Sequence, residues 1–364
     1  MKISKISSLA LLLVILSIFL SGCSSNATLA SSWPGLSIDQ ETAYLAYNQQ
    51  VFAINILNGS EIWRYPEKPN AKITFYAPPA LTSDNQLIIG GYNNILYGVN
   101  AINGNENWQF TNAKNRYIAS PLVVDEKIYA SNTDNTLYAL GLQGNLLWTF
   151  ETSGEQWAQP VLDPDGTKLY VSSMDHYLYA IDLEGNLIWK TQESLGGAIV
   201  GSPVVGDNDV LYIGSFGSHM YAINTQNGQV IWKTPTEDWI WSGPALKDNV
   251  VYFGDLNNYF YALDANNGSV LWRHQTDGVV TGTPTLTDEA IYFGTVTDGQ
   301  DTGTLYALDY QGNVKWTKTI EARIYQSPIL AGDVLVLAPV AKDYILAGFD
   351  LNGNQKWTFT PAKK

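Results

Sequence analysis

The chain has 364 residues, 45% of them hydrophobic and only 15% charged, with 31 Gly, 22 Tyr and 12 Trp. Its net charge of −14 argues against nucleic acid or an anionic headgroup as a partner held by charge, because neutralising phosphates needs Lys and Arg. The single cysteine, Cys23, excludes a disulfide within the chain and a multi-thiolate metal site.

The first residues read as an export signal. Lys2 and Lys5 are a short positive region, and Leu9 to Leu20 is an apolar run of a dozen residues. That run is shorter than the roughly 20 residues a membrane-spanning helix needs, and it has the size of a signal-peptide core. Leu20-Ser21-Gly22-Cys23 follows and resembles the lipobox of bacterial lipoproteins. The resemblance implies a signal peptide over residues 1–22, cleavage before Cys23, and lipidation of the Cys23 thiol. Several acyl chains, palmitate among them, would then hold the protein durably to a membrane. Residues 23–32 read as a lipidated tether, and the folded domain is expected over 33–360. The expected location is the outer side of the cytoplasmic membrane or the outer membrane; Ser24 after the cysteine is compatible with the latter.

From there to the end the chain repeats. A Trp stands four residues after a Gly at Gly59/Trp63, Gly104/Trp108, Gly144/Trp148, Gly185/Trp189, Gly228/Trp232, Gly268/Trp272, Gly312/Trp316 and Gly353/Trp357. The Trp spacings lie between 40 and 45, the length of one four-stranded propeller blade. In the same phase run a Pro (Pro79, Pro121, Pro160, Pro203, Pro244, Pro284 and Pro328, with Pro34 a weaker copy) and an aromatic (Phe52, Tyr97, Tyr138, Tyr179, Tyr221, Tyr261 and Tyr306). Ala347 replaces the aromatic in the last repeat.

The sixth repeat shows the strands. Ser242–Leu246, Val250–Gly254, Tyr259–Asp264 and Ser269–His274 are strand-length runs, separated by Asn-, Asp- and Gly-rich turns that admit positive φ. Eight such repeats predict an all-β, eight-bladed β-propeller of four antiparallel strands per blade, with no helices. The eight Trp are expected to wedge between blades. The repeats are continuous in sequence, so the ring is expected to close by packing, unless residues 24–32 add a strand to it.

Leu178-Tyr179-Ala180-Ile181-Asp182-Leu183-Glu184-Gly185-Asn186-Leu187-Ile188-Trp189, and likewise Tyr261 to Trp272, closely resemble the pyrroloquinoline-quinone (PQQ)-type propeller repeat, whose Gly-to-Trp segment is a tryptophan-docking motif. Enzymes and non-enzymes share that repeat, so it specifies fold more than function. One branch contains quinoprotein dehydrogenases; the other contains BamB-type lipoproteins, scaffolds of outer-membrane protein assembly. The enzyme branch implies a metal site, a catalytic Asp and often a vicinal disulfide. The disulfide is impossible here, and no motif places the metal ligands. The expected function is therefore a non-enzymatic binding scaffold of the cell envelope, monomeric, with envelope proteins as partners. The alternative is a PQQ-binding dehydrogenase or ligand sensor, with Arg116 and Arg323 as clamps for the quinone carboxylates.

No catalytic or metal motif stands out. His176 and His219 fall in corresponding turns of adjacent repeats and His274 lies apart, short of the three or four convergent ligands a metal needs. Asp163 to Gly166 and Asp298 to Asp301 lack the spacing of a calcium loop; the second lies in an insertion where a metal stays open. The aromatic and Arg residues left over lead into the first strands of the repeats: Tyr76, Arg116, Trp157, Trp239, Trp241, Arg323 and Tyr325. In propellers of the resembled family that strand is innermost, which puts these residues around one mouth of the central channel. Such residues dominate binding hot spots, so they are a candidate binding face; the alternative is that they pack together and plug the channel.

Overall fold

Every repeat forms one four-stranded sheet whose strand order is the sequence order. The computed structural model describes residues 33–297, 299–341 and 343–362. Within them the blades span 35–65, 80–110, 122–151, 161–190, 204–235, 245–275, 285–320 and 329–359. We call the strands of each blade a to d. Neighbouring strands pair antiparallel throughout, and the described residues contain no helix. The signal peptide, Cys23 and the tether lie outside the described residues, as does Asp298.

Blade 5 shows how residues set the strands. Strand a is Val204–Val205, b is Val210–Ser215, c is His219–Asn224 and d is Val230–Pro235. The turns between them hold Asp209, Ser218 and Gly228 at φ values of 56, 56 and 69°, the region that Gly and short polar residues enter most readily. Strands b and c are buried on both faces, while d alternates between half-buried and exposed. In blade 6, strand a is Ala245–Lys247, so it starts after Pro244, which has no N–H for a ladder.

The core is divided among the joints. Eight buried clusters each combine residues of two adjacent blades. Leu137 and Ala139 of blade 3, for example, pack with Leu169 and Val171 of blade 4. Fully burying one such Leu or Val side chain contributes about 1.5–3 kcal/mol. An isolated blade would leave both faces in water, so each blade depends on its neighbours.

The Gly-to-Trp motif turns out to be half of a contact between blades. Each Trp lies over the motif Gly of the next blade: Trp63 over Gly104, Trp108 over Gly144, Trp148 over Gly185, Trp189 over Gly228, Trp232 over Gly268, Trp272 over Gly312 and Trp316 over Gly353. Trp357 lies over Gly59 and completes the circle. All eight glycines have φ between 69 and 88°, and a Cβ on any of them would come within 2.5–3.0 Å of the indole. Backbone conformation and the neighbouring plate therefore both demand Gly. Beneath each Trp, strand c presents Ala or Gly: Ala53, Gly98, Ala139, Ala180, Ala222, Ala262, Ala307 and Gly348. In seven joints the indole N–H donates to a carbonyl of the same turn at 2.8–3.0 Å.

The ring closes without a strand shared between blades 8 and 1. Leu36, Leu45, Phe52 and Ile54 of blade 1 pack with Val334, Val336, Leu346 and Phe359 of blade 8.

Candidate functional site at the channel mouth

The lead-in segments converge on the axis. One channel is lined by Leu36, Pro78, Ser120, Gln159, Ser202, Gly243, Gly282 and Gln326, one residue from each repeat. Side chains tie the neighbouring segments together. Gln159 donates to the Pro121 carbonyl at 2.9 Å, Ser202 to that of Gln159 at 2.8 Å, and Thr281 to that of Tyr325 at 2.8 Å. Residues borne on this frame are held by the whole ring, the arrangement in which loops on a rigid scaffold carry function.

At one mouth of the channel the aromatics meet. Trp241 contacts Trp157 (ring centroids 6.5 Å apart), Phe216 (5.3 Å) and Trp33 (5.6 Å, nearly perpendicular). Phe216 stacks on Trp239 at 4.7 Å, and Trp33 reaches Tyr325 at 5.9 Å. Trp239 stays 46% exposed, so its ring is available to a partner. Beside the cluster is a cavity of about 300 Å³ lined by Trp33, Trp241, Leu256, Val279, Thr281, Tyr325 and Gln326.

Of the candidate residues, Trp157, Trp239, Trp241 and Tyr325 thus share one cluster. Arg323 joins it at the edge: its guanidinium donates to the Tyr325 hydroxyl at 3.4 Å and pairs with Asp301 at 2.8 Å. These partners, Tyr325 first, raise its already high pKa. Tyr76 and Arg116 form a second group. Tyr76 packs on Tyr92 at 4.1 Å, and the Arg116 guanidinium lies 5.2 Å over Tyr92, a cation–π geometry. Burial pushes both tyrosine hydroxyls up, and Arg116 opposes that. The eight docking Trp all lie at the joints described above.

Trp33 and Phe216 complete the cluster but escape a count in phase with the repeat proline. Trp33 stands one residue before Pro34, not three, and Phe216 sits beside the b–c turn of blade 5. One signal was available for Trp33. The twelve tryptophans comprise eight in docking motifs and four left over, Trp33, Trp157, Trp239 and Trp241, and these four are the ones that gather here.

Nothing in this constellation pairs a nucleophile with a base. Among the described residues no three His, Cys, Asp or Glu converge as a metal site. His176 lies in its b–c turn at φ 76°; His219, expected in the matching turn, instead opens strand c and its Nδ1 lies 2.7 Å from the Gly217 carbonyl oxygen. Asp163 sits in the a–b turn of blade 4. Burial alone would raise its carboxyl, but hydrogen bonds, with Tyr170 foremost, and the Lys168 charge bring it below its usual value. Of the two residues expected as quinone clamps, Arg323 pairs with Asp301 and Arg116 lies over Tyr92.

Fold and site together define an eight-bladed propeller of PQQ-like repeats, locked by tryptophan docking and open at an aromatic mouth. Residues 47–238, 174–299 and 280–363 match the family described as outer membrane protein assembly factor BamB, and the chain belongs to that family. Among solved structures it is similar to BamB from Moraxella catarrhalis, at 17% identity and a TM-score of 0.69, over 87% of this chain and 91% of that one. It is similar in fold also to the computationally designed Ika8 protein, at 12% identity and a TM-score of 0.68, over 90% of this chain and 96% of that one. No curated protein matches it in sequence.

Proposed function

We propose that this chain is a non-enzymatic docking scaffold of the cell envelope, tethered by lipid at Cys23, which holds envelope proteins during outer-membrane protein assembly. Family membership supports the setting. The observation that carries the docking role is the gathering of the four tryptophans spared from docking at one mouth, with Trp239 half-exposed over a rigid frame. A large aromatic on a preformed surface is the residue type that anchors protein partners at little entropic cost.

The test is capture from detergent-solubilised envelopes with full-length protein, with the captured proteins identified by mass spectrometry. Wild type is expected to retain outer-membrane assembly proteins, and Trp239→Ala/Trp241→Ala to lose them about tenfold or more, the scale of a lost hot spot. Recovery of none, or equal recovery by both, overturns the reading. Cys23→Ala is expected to abolish incorporation of labelled palmitate and release the protein from the membrane fraction.

A further inference from the structure

Trp33 comes from ahead of blade 1, yet its ring lies against Trp241, before blade 6, and Tyr325, before blade 8. The chain thus displays on its own mouth the kind of group that mouth accepts. With Trp33 in place, the cavity beside it still measures about 300 Å³. That is the bottom of the roughly 300–1,000 Å³ range of small-ligand sites, room for one large side chain with its neighbouring backbone. Its walls are three aromatic rings with Leu256 and Val279. The Thr281 hydroxyl is already engaged with the Tyr325 carbonyl.

The surroundings are acidic. Asp238, half-exposed, precedes Trp241 by three residues; Asp277, two residues before Val279, is instead turned to its own blade, its carboxylate accepting from the Thr295 and Thr304 hydroxyls. The nearby cation, Arg323, is paired with Asp301 at 2.8 Å. The whole chain carries −14, which draws cations and repels anions at long range.

Resting on the scaffold reading above, we infer that the cavity receives an aromatic side chain from an extended segment of the partner, with Lys or Arg on either side of it. The inserted ring meets the edges and faces of Trp33, Trp241 and Tyr325, the arrangement aromatic rings favour. The flanking cations meet the acidic surface, Asp238 foremost, and set orientation and on-rate.

Three fluorescein-labelled peptides test this on full-length protein in detergent by anisotropy: Gly-Lys-Trp-Lys-Gly, Gly-Glu-Trp-Glu-Gly and Gly-Lys-Ala-Lys-Gly. The first is expected to bind about tenfold more tightly than either of the others, and Val279→Trp, which fills the cavity, to remove that preference. Asp238→Asn is expected to weaken the first peptide about two- to fivefold and to reduce its salt dependence. Equal binding of the three peptides, or undiminished binding by Val279→Trp, overturns the inference. If envelope proteins are captured while the peptides bind equally, the inference falls and the scaffold reading stands. If the peptide preference holds while no envelope protein is captured, the inference stands and the scaffold reading falls.

Discussion

The joint between blades 4 and 5 and the seam between blades 8 and 1 solve the same packing problem with different residues. At the first, Trp189 covers Gly228, donates to the Thr225 carbonyl at 2.9 Å, and meets the ring of Tyr170 at 5.8 Å. At the seam, Trp357 covers Gly59 just as closely, but its indole N–H is buried without a partner, and Val336 stands where Tyr170 does. The seam has its own additions: Phe52 against Phe359 at 5.6 Å, and Arg64 donating to the Ala362 carbonyl. What survives at both is the plate on glycine. Ring closure therefore requires that apolar fit, while the polar and aromatic partners around it are interchangeable.

The comparison can be broken most forcefully by removing the plates. Trp189→Ala is expected to cost about 3–5 kcal/mol, the usual range for truncating a buried Trp. Trp357→Ala should cost less, because no hydrogen bond is lost with the ring. Urea denaturation of the two variants checks this, and equal losses would show that the indole hydrogen bond contributes nothing.

Gly228→Ala and Gly59→Ala test the shared element. Each would put a Cβ 2.6 or 2.7 Å from an indole carbon at a φ of 69 or 73°. Left-handed strain and overpacking together predict about 2–4 kcal/mol at both sites. A much smaller loss at the seam would mean that the seam yields where the other joints do not.

Trp→Phe separates the polar part. Trp189→Phe removes a donor and leaves the Thr225 carbonyl unmet, for about 1–3 kcal/mol. Trp357→Phe deletes a buried N–H that has no partner, and is expected to be near neutral or slightly stabilising in the same measurement.

The smallest effect belongs to a joint apart from both. His274 of blade 6 packs on Tyr306 of blade 7 at 6.0 Å, and burial lowers its pKa below the usual 6.5, against a hydrogen bond that the imidazole donates to the Gly312 backbone. The unfolded chain then binds the proton more readily. Stability is full above about pH 6.5 and is lost as pH falls through the folded value. Thermal melts between neutral and mildly acidic pH should show a shallower slope for His274→Gln than for wild type.

The fold was legible because each blade joint is written twice per repeat, as a Gly that must take positive φ and a Trp four residues on. The sixth repeat shows how far that goes: strands b and c fall on Val250–Gly254 and Tyr259–Asp264 as read. The mouth was legible only in part. Trp157, Trp241 and Tyr325 sit in phase with the repeat and could be found by counting. Trp33 and Phe216 do not, and what brings them to Trp241 is the curvature of the closed ring, which no local spacing encodes. The same curvature leaves Tyr76 and Arg116 in a group with Tyr92, apart from Trp157, Trp239, Trp241 and Tyr325.

Because no strand is shared across the seam, the position of the chain's ends is incidental to the architecture. Every blade gives one tryptophan to its successor and offers one glycine to its predecessor, so the ring has no first or last member in structural terms. This means that a repeat can be gained or lost whole, changing the size of the ring without tearing a sheet, which suits growth by duplication of a single unit of about 42 residues.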